Sequence, residues 1–509
     1  MSTDKGSTAG AVRTASSAAA GAAAPAGTSS AGASSAGRKN HSWIWQTALV
    51  LVVTVAIWLV PPQADMDPRG MHMLAIFVGT ILALIFQILP TPSISLIGLS
   101  AAMITGSMSV GDGEALQGFA NSTVLLIVAA FFIADGFLIT GLGRRIALVF
   151  VSLLGRTPLG VSYGLAITDL VLAPATPSNT ARAGGVVYPI IRSIAGTQGS
   201  TPETEESRKK VGAYLVFTAA FVNTITSAMF VTAMAGNPVA QSAAADLGIE
   251  LTWGGWAWAA LVPGLVSLVA VPWVMTKIYP PTTKSTPEAP LHARASLVEM
   301  GRMSAREWIM SGTFLMLLVL WMFGGTLGVN ATAAAFLGIA VLLVTKVLTW
   351  KDMAGNASAW NTFIFFAVLV GMATHLADLG VIAWVGVVVS GWVSPLHWSV
   401  AFVVLALVYF YSHYLFASNT AHITAMYAVF LGAAVAAGAP PLFAAAFFGF
   451  LGNLFGALTH YASGPSGVVY GSGYVKVSEW FRVAFVMSIV VLVIWAVVGG
   501  AWLKLLGWW

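Results

Sequence analysis

The sequence predicts an all-α polytopic membrane protein, and two observations carry that prediction. Of its 509 residues, 58% are hydrophobic and 8% charged, where a soluble globular domain has about a quarter charged. Apolar stretches of about 20 residues, the length an α-helix needs to cross the hydrocarbon core, recur almost end to end. A third observation gives the stretches an order. The tetrapeptide Ser178-Asn179-Thr180-Ala181 returns as Ser418-Asn419-Thr420-Ala421, 240 residues later. There is no cysteine, so disulfides and thiolate metal sites are excluded. The net charge of +5 is spread over short loops, which reads as an orientation signal and not as nucleic-acid affinity.

Residues 1–42 are rich in Ala, Ser, Gly and Thr and cannot bury enough apolar surface to fold, so a disordered tail is expected. Their acid-poor, Ser-rich character also resembles an organelle transit peptide, although arginine is sparse. An extra first span follows within 43–70. The first repeat, 71–276, has apolar segments at 71–89, 93–109 and 123–141, then a different unit at 158–195. It closes with 211–245, interrupted around Gly236-Asn237-Pro238, and 255–276. A polar, cytoplasmic linker occupies 277–306. The second repeat, 307–509, runs through 309–328, 331–350 and 361–380 to a second unusual unit at 396–437. It ends with 441–475, interrupted around Ser463-Gly464-Pro465, and 480–504.

Positive loops stay in the cytoplasm. Arg144 and Arg145, Arg208 to Lys210, Lys277 to Arg306, Lys346 and Lys351, and Lys476 and Arg482 share one side only if 158–195 and 396–437 enter and leave by the same face. Both units are therefore expected to be re-entrant hairpins, the first open to the cytoplasm and the second to the outside. About eleven full spans remain, with the amino terminus inside. "NST" at 121–123 and "NTF" at 361–363 share the 240-residue register of the tetrapeptides, which marks an internal repeat. Each copy holds five spans, an odd number, so the second lies upside down. That is the inverted-repeat plan of secondary transporters.

Non-helical backbone survives at membrane depth only where protein or a water-filled cavity covers it. Pro174 and Pro177 forbid a continuous helix through the first hairpin. Thr176, Ser178 and Asn179 stand where helix caps belong, and the helix that restarts near Ala181 presents free N–H groups and the positive end of its dipole to an anion. Ser418-Asn419-Thr420 repeats this from the opposite face. Two such sites predict a ligand with at least two anionic groups, a di- or tricarboxylate. The interrupted spans, with Asn237, Ser463 and Pro465, add polar backbone beside it. Arg182 and His422 hold the same place after their triplets. An arginine at the bilayer centre costs about 2.5–3.5 kcal/mol on an insertion scale, so it needs a partner. The expected partner is the substrate's carboxylates, with Asp169 when the site is empty; the sequence leaves the charge of His422 open. The bland alternatives are hydroxyls bonded back to their own helix, an Arg182 that snorkels to the cytoplasmic edge, and packed or hydrogen-bonded His413 and His460. No nucleophile–base set or metal-site spacing is present, so neither an enzyme nor a cofactor is expected. The tryptophans fit interfacial anchors.

These motifs, with "GFANSTVLLIVAAFFIADGF" (118–137), "TGLGRRIAL" (140–148), "APATPSNTARAGG" (173–185), "YSHYLFASNTAHITAMY" (411–427) and "LTHYASGPSGVVYGSGY" (458–474), resemble the divalent anion/sodium symporter family over residues 44–509. The closest branch is that of 2-oxoglutarate/malate translocators and citrate/succinate antiporters. The resemblance implies a lipid-embedded homodimer with an elevator-type transport domain. It also implies substrate contacts at Ser178, Asn179, Thr180, Ser418, Asn419 and Thr420. In sodium-coupled members, positions matching Ser178, Asn179, Gly236, Ser418, Asn419 and Ser463 form ion sites. Here Arg182 and His422 would supply that positive charge permanently, which favours sodium-independent antiport of malate, succinate, 2-oxoglutarate, citrate or tartrate. An empty carrier with unbalanced buried charge would cross poorly. The alternatives are a sodium-coupled dicarboxylate symporter and, as a different class, a passive organic anion channel. The expected location is a bacterial inner membrane, with the plastid inner envelope second.

Overall fold

The computed structural model describes residues 42–63, 66–382, 384, 388 and 397–509. Residues 1–41, the body of the expected tail, lie outside the described residues, as does residue 396 at the start of the second expected hairpin. The chain divides into Met1–Ile44 and Trp45–Trp509. Of the first unit only Ser42–Ile44, the start of the helix Ser42–Trp58, is described; everything below concerns the second.

Every regular element among the described residues is helical. Among the described residues nine helices are long and apolar enough to cross a membrane. Six of them fall on predicted full spans: Glu114–Thr140, Gly212–Met229, Trp253–Ile278, Ala305–Leu327, Ala357–Asp378 and Val477–Leu505. The other three, Pro158–Ala175, Trp398–Leu415 and Asn419–Ala436, are arms of the expected hairpins. The remaining five predicted spans hold the shorter apolar helices Trp43–Trp58, Gly70–Phe86, Thr91–Ile104, Ala331–Val344 and Pro441–Ala457.

The two unusual units share one backbone design. In the first, Pro158–Leu172 tightens into a 3-10 turn at Ala173–Ala175 and passes through extended Thr176 and Ser178. The chain restarts as Asn179–Ala181, widens into a π-helical turn at Arg182–Val187 and returns as Tyr188–Thr197. In the second, Trp398–Tyr411 runs into a 3-10 turn at Ser412–Leu415, then extended Phe416 and Ser418, and Asn419–Ala436 returns without a π turn. The interrupted spans are likewise paired: Gly212–Met229 and Gly236–Asp246 flank a 3-10 turn at Val231–Ala233, and Pro441–Leu454 and Gly464–Tyr470 flank one at Phe455–Ala457. Gly212–Met229 is buried along its whole length.

One sequence correspondence fails locally. Asn121 caps Ser122–Thr140, its side chain accepting from Thr123 N (2.8 Å). Asn361, its counterpart in register, lies inside Ala357–Asp378, and the cap of that helix is Asn356. At the end where basic residues gather, buried Arg208 grips Glu479 with both terminal nitrogens (2.6 and 2.9 Å) and also meets the Tyr279 hydroxyl at 3.0 Å. This clasp joins Glu205–Lys210 to the start of Val477–Ile494. Alongside it, Glu205 accepts from Lys209 (2.7 Å) and Lys476 (3.0 Å).

Candidate functional site

Each tip is built around a serine cap. Ser178 Oγ accepts from Ala181 N at 3.1 Å and Ser418 Oγ from Ala421 N at 3.3 Å. The first intrahelical bonds are Arg182 N–H to Ser178 O and His422 N–H to Ser418 O, both 3.1 Å. The N–H groups of Asn179, Thr180, Asn419 and Thr420 therefore precede the helical ladder, as helix geometry requires of the first turn. Ser463 repeats the device, its Oγ accepting from Ser466 N at 3.3 Å and donating to Gly456 O at 2.6 Å, with Pro465 buried in the first turn.

Tips and interruptions pack crosswise. The first tip meets the second interruption: a Cβ added at Gly464 would run into Thr180 Oγ1, so only glycine admits that approach. The second tip meets the first interruption, with Thr420 Oγ1 3.9 Å from Met234 Sδ and Ile423 2.7 Å from where a Cβ on Gly236 would stand. The interruptions meet each other through Asn453 Nδ2, which donates to Asn237 Oδ1 at 2.7 Å. Ser178, Asn179 and Thr180 are half-buried, as are Ser418 and Thr420, while Asn419 is buried.

Arg182 is 1% exposed, which excludes snorkelling. Its Nε donates to Asp169 Oδ1 (3.2 Å), Nη1 to Thr176 O (2.5 Å) and Ala233 O (2.6 Å), and Nη2 to Ser227 Oγ (3.0 Å). Four of the five guanidinium N–H groups are thereby taken. The expected direct grip on substrate carboxylates does not describe this arrangement, because a bidentate contact needs two free, parallel N–H groups. Nor is the charge unbalanced, since Asp169 sits against it. Asp169 in turn accepts from Asn223 Nδ2 (3.3 Å to each oxygen) and from the Thr226 hydroxyl, and Asn223 Nδ2 also reaches Asn179 O at 3.4 Å.

His422, whose charge the sequence leaves open, meets a second histidine. His413 Nε2 donates to Ala462 O (3.0 Å), which leaves its Nδ1 to accept from His422 Nδ1–H (2.9 Å). Two neutral rings satisfy this pattern. Phe416 and Phe455 stack on His422 with ring centres 4.3 and 4.6 Å away, and Tyr409 lies 4.8 Å off. Among the described residues no ion pair reaches either imidazole, so His422 is not a standing cation for the ligand. Asn237 is also fully engaged, since its Nδ2 donates to Ser227 O (2.8 Å) and Phe230 O (2.9 Å). Sequence reasoning missed Asn223, Thr226, Ser227 and Asn453. His413, expected to be packed or hydrogen-bonded, is both, without a metal partner among the described residues. A buried charge signals that it needs partners, but nothing local names these neutral ones.

Helix beginnings gathered around hydroxyl and amide groups inside an apolar bundle define a membrane transport protein. Residues 41–509 match the family described as sodium:sulfate symporter transmembrane region, and the chain belongs to that family. It is 47% identical over 475 residues to a putative malate transporter of Bacillus subtilis, covering 93% of this chain and 99% of that protein. Chloroplastic dicarboxylate transporter 2 of Spinacia oleracea is 43% identical, covering 90% of this chain and 82% of the transporter. The citrate/succinate antiporter of Escherichia coli is 34% identical, covering 90% and 97%. The YdaH transporter of Alcanivorax borkumensis, a solved structure, shares the fold at a TM-score of 0.51 and 13% identity, over 91% of this chain and 98% of that one.

Proposed function

We propose that the protein exchanges di- or tricarboxylates across the membrane without sodium. In this reading 158–195 and 396–437 are re-entrant hairpins within inverted repeats 71–276 and 307–509, and a homodimer carries them as an elevator-type transport domain. The free N–H groups at the Asn179 and Asn419 helix starts, with the hydroxyls of Thr180 and Thr420, receive the two ends of the anion.

The observation that carries the reading is the Arg182 guanidinium between Thr176 O in the first tip and Ala233 O in the first interruption. Two carbonyls turned toward one positive group are what a bound cation would require; here the cation is tethered to the chain and needs no ion from solution. Exchange, as opposed to one-way passage, draws its support from the antiporter among the relatives. The balanced charge at Arg182 removes the electrostatic reason that the sequence offered for it. Malate and other dicarboxylates lead the substrate class because relatives 47% and 43% identical carry those names.

Sodium-coupled symport is favoured by one observation. Among the described residues Asn419 Oδ1 and Asn453 Oδ1 are buried acceptors without a donor, and oxygen ligands suit a hard cation. Proteoliposomes separate the two. Uptake of labelled succinate that requires internal dicarboxylate and ignores external Na⁺ is the expected result. Uptake that follows the Na⁺ gradient into empty vesicles would replace this reading with symport.

A further inference from the structure

Position 169 in the first hairpin corresponds to position 409 in the second, in the same 240-residue register that relates Arg182 to His422. The pairs differ in kind: Asp169 with Arg182 is an ion pair, Tyr409 with His422 is a contact of two rings. Asp169 is 1% exposed, and three neighbours donate to it: Arg182, Asn223 and Thr226. A carboxylate held by that many donors is fixed in position beside the guanidinium. Through Asn223 Nδ2 it is a single amide away from the Asn179 carbonyl, inside the triplet itself.

We infer that Asp169 is a positioning residue of the transport site: it aims the Arg182 guanidinium at Thr176 O in the tip and Ala233 O in the first interruption and cancels its charge, so that the empty site is neutral. The first tip then attracts a carboxylate through helix N–H groups and the near end of a dipole, and releases it again. Without Asp169 the tip would hold a full positive charge, and a bound dianion would leave slowly. This inference rests on the exchange reading above.

The test is counterflow of labelled succinate with Asp169→Asn and Asp169→Glu, together with succinate-dependent thermal shift of the same purified proteins. For Asp169→Asn, KM is expected to fall about tenfold and kcat to fall at least as much, the scale of one uncompensated charge beside a half-buried site. Asp169→Glu keeps the charge and returns KM to within about threefold of the wild type, a difference of less than one factor of ten in binding. A merely structural role would lower the yield of folded carrier and leave KM where it was. A raised or unchanged KM in the Asn variant, or equal shifts in both, would overturn the inference. If Asp169→Asn does not fold, the double variant Asp169→Asn/Arg182→Gln is measured: recovery of folded carrier supports charge cancellation, and no recovery refutes it. A wild type that neither binds succinate nor exchanges it would fail the functional reading instead, before any variant is compared.

Discussion

The two hairpin tips have the same backbone and solve the same problem with different chemistry. Both bend through a 3-10 turn, both use a serine cap, and both restart at an asparagine. Behind the first lies a buried guanidinium saturated by one carboxylate, two carbonyls and a hydroxyl. Behind the second lies an imidazole pair boxed in by phenylalanine rings. The comparison teaches that backbone geometry makes the anion site, while the side chains beneath it set its polarity and rigidity. Among the described residues both supports leave an acceptor or hydroxyl unpaired, Asn223 Oδ1 beneath the first tip and Tyr409 Oη and Asn419 Oδ1 beneath the second.

The largest test of this difference is truncation on both sides. Arg182→Ala strands the Asp169 carboxylate and is expected to cost about 3–5 kcal/mol, enough to deplete folded carrier. His422→Ala loses only neutral contacts and is expected to cost about 1–3 kcal/mol. Thermal unfolding in detergent measures both, and equal losses would break the contrast between ionic and neutral tips. Next comes the crosswise seat of the first tip: Gly464→Val drives a side chain into Thr180 and should destabilise by about 1–3 kcal/mol while stopping counterflow. Full exchange in that variant would mean that the tip does not sit against the second interruption.

A smaller effect sharpens the link between the halves. Asn453→Leu leaves Asn237 Oδ1 without its donor and should cost about 1–3 kcal/mol, whereas Asn237→Leu/Asn453→Leu removes both partners and should recover part of that loss. A double-mutant cycle on unfolding midpoints reads the coupling, and strict additivity would remove it. The smallest effect lies away from the tips. Hydrogen bonds from Lys209 and Lys476 hold the Glu205 carboxyl down at about 2, from an ordinary value of 4.5. A lowered value in the folded state gives stability that is complete above about pH 4.5 and lost as pH falls toward about 2. Glu205→Gln should flatten that acid limb, as followed by tryptophan fluorescence; an unchanged limb would show that the surface pair does nothing for the clasp.

The helical class, the tips and the interruptions were legible because their causes are local. Proline removes a donor, serine caps the next turn, and both act within a few residues, as at Pro177 and Ser178. Asp169 was legible as a partner because it lies 13 residues before the only arginine of the tip. What escaped depends on pairing between distant neutral groups. Asn453 meets Asn237 across 216 residues, and Gly464 accommodates Thr180 from the other repeat. Amides and glycines are common enough in membrane helices that no pattern singles these out. The charge of His422 was open for the same reason: it depends on His413 and on the Ala462 carbonyl, 49 residues beyond His413.

The guanidinium network has a consequence for biogenesis. Every group that satisfies Arg182 lies between residues 169 and 233. During synthesis the nascent chain can settle its most hazardous side chain before the later half leaves the ribosome. A truncated product ending in the 277–306 loop would keep the Arg182 network whole, while the Arg208–Glu479 clasp, the tip seat and the amide link would await the rest of the polypeptide.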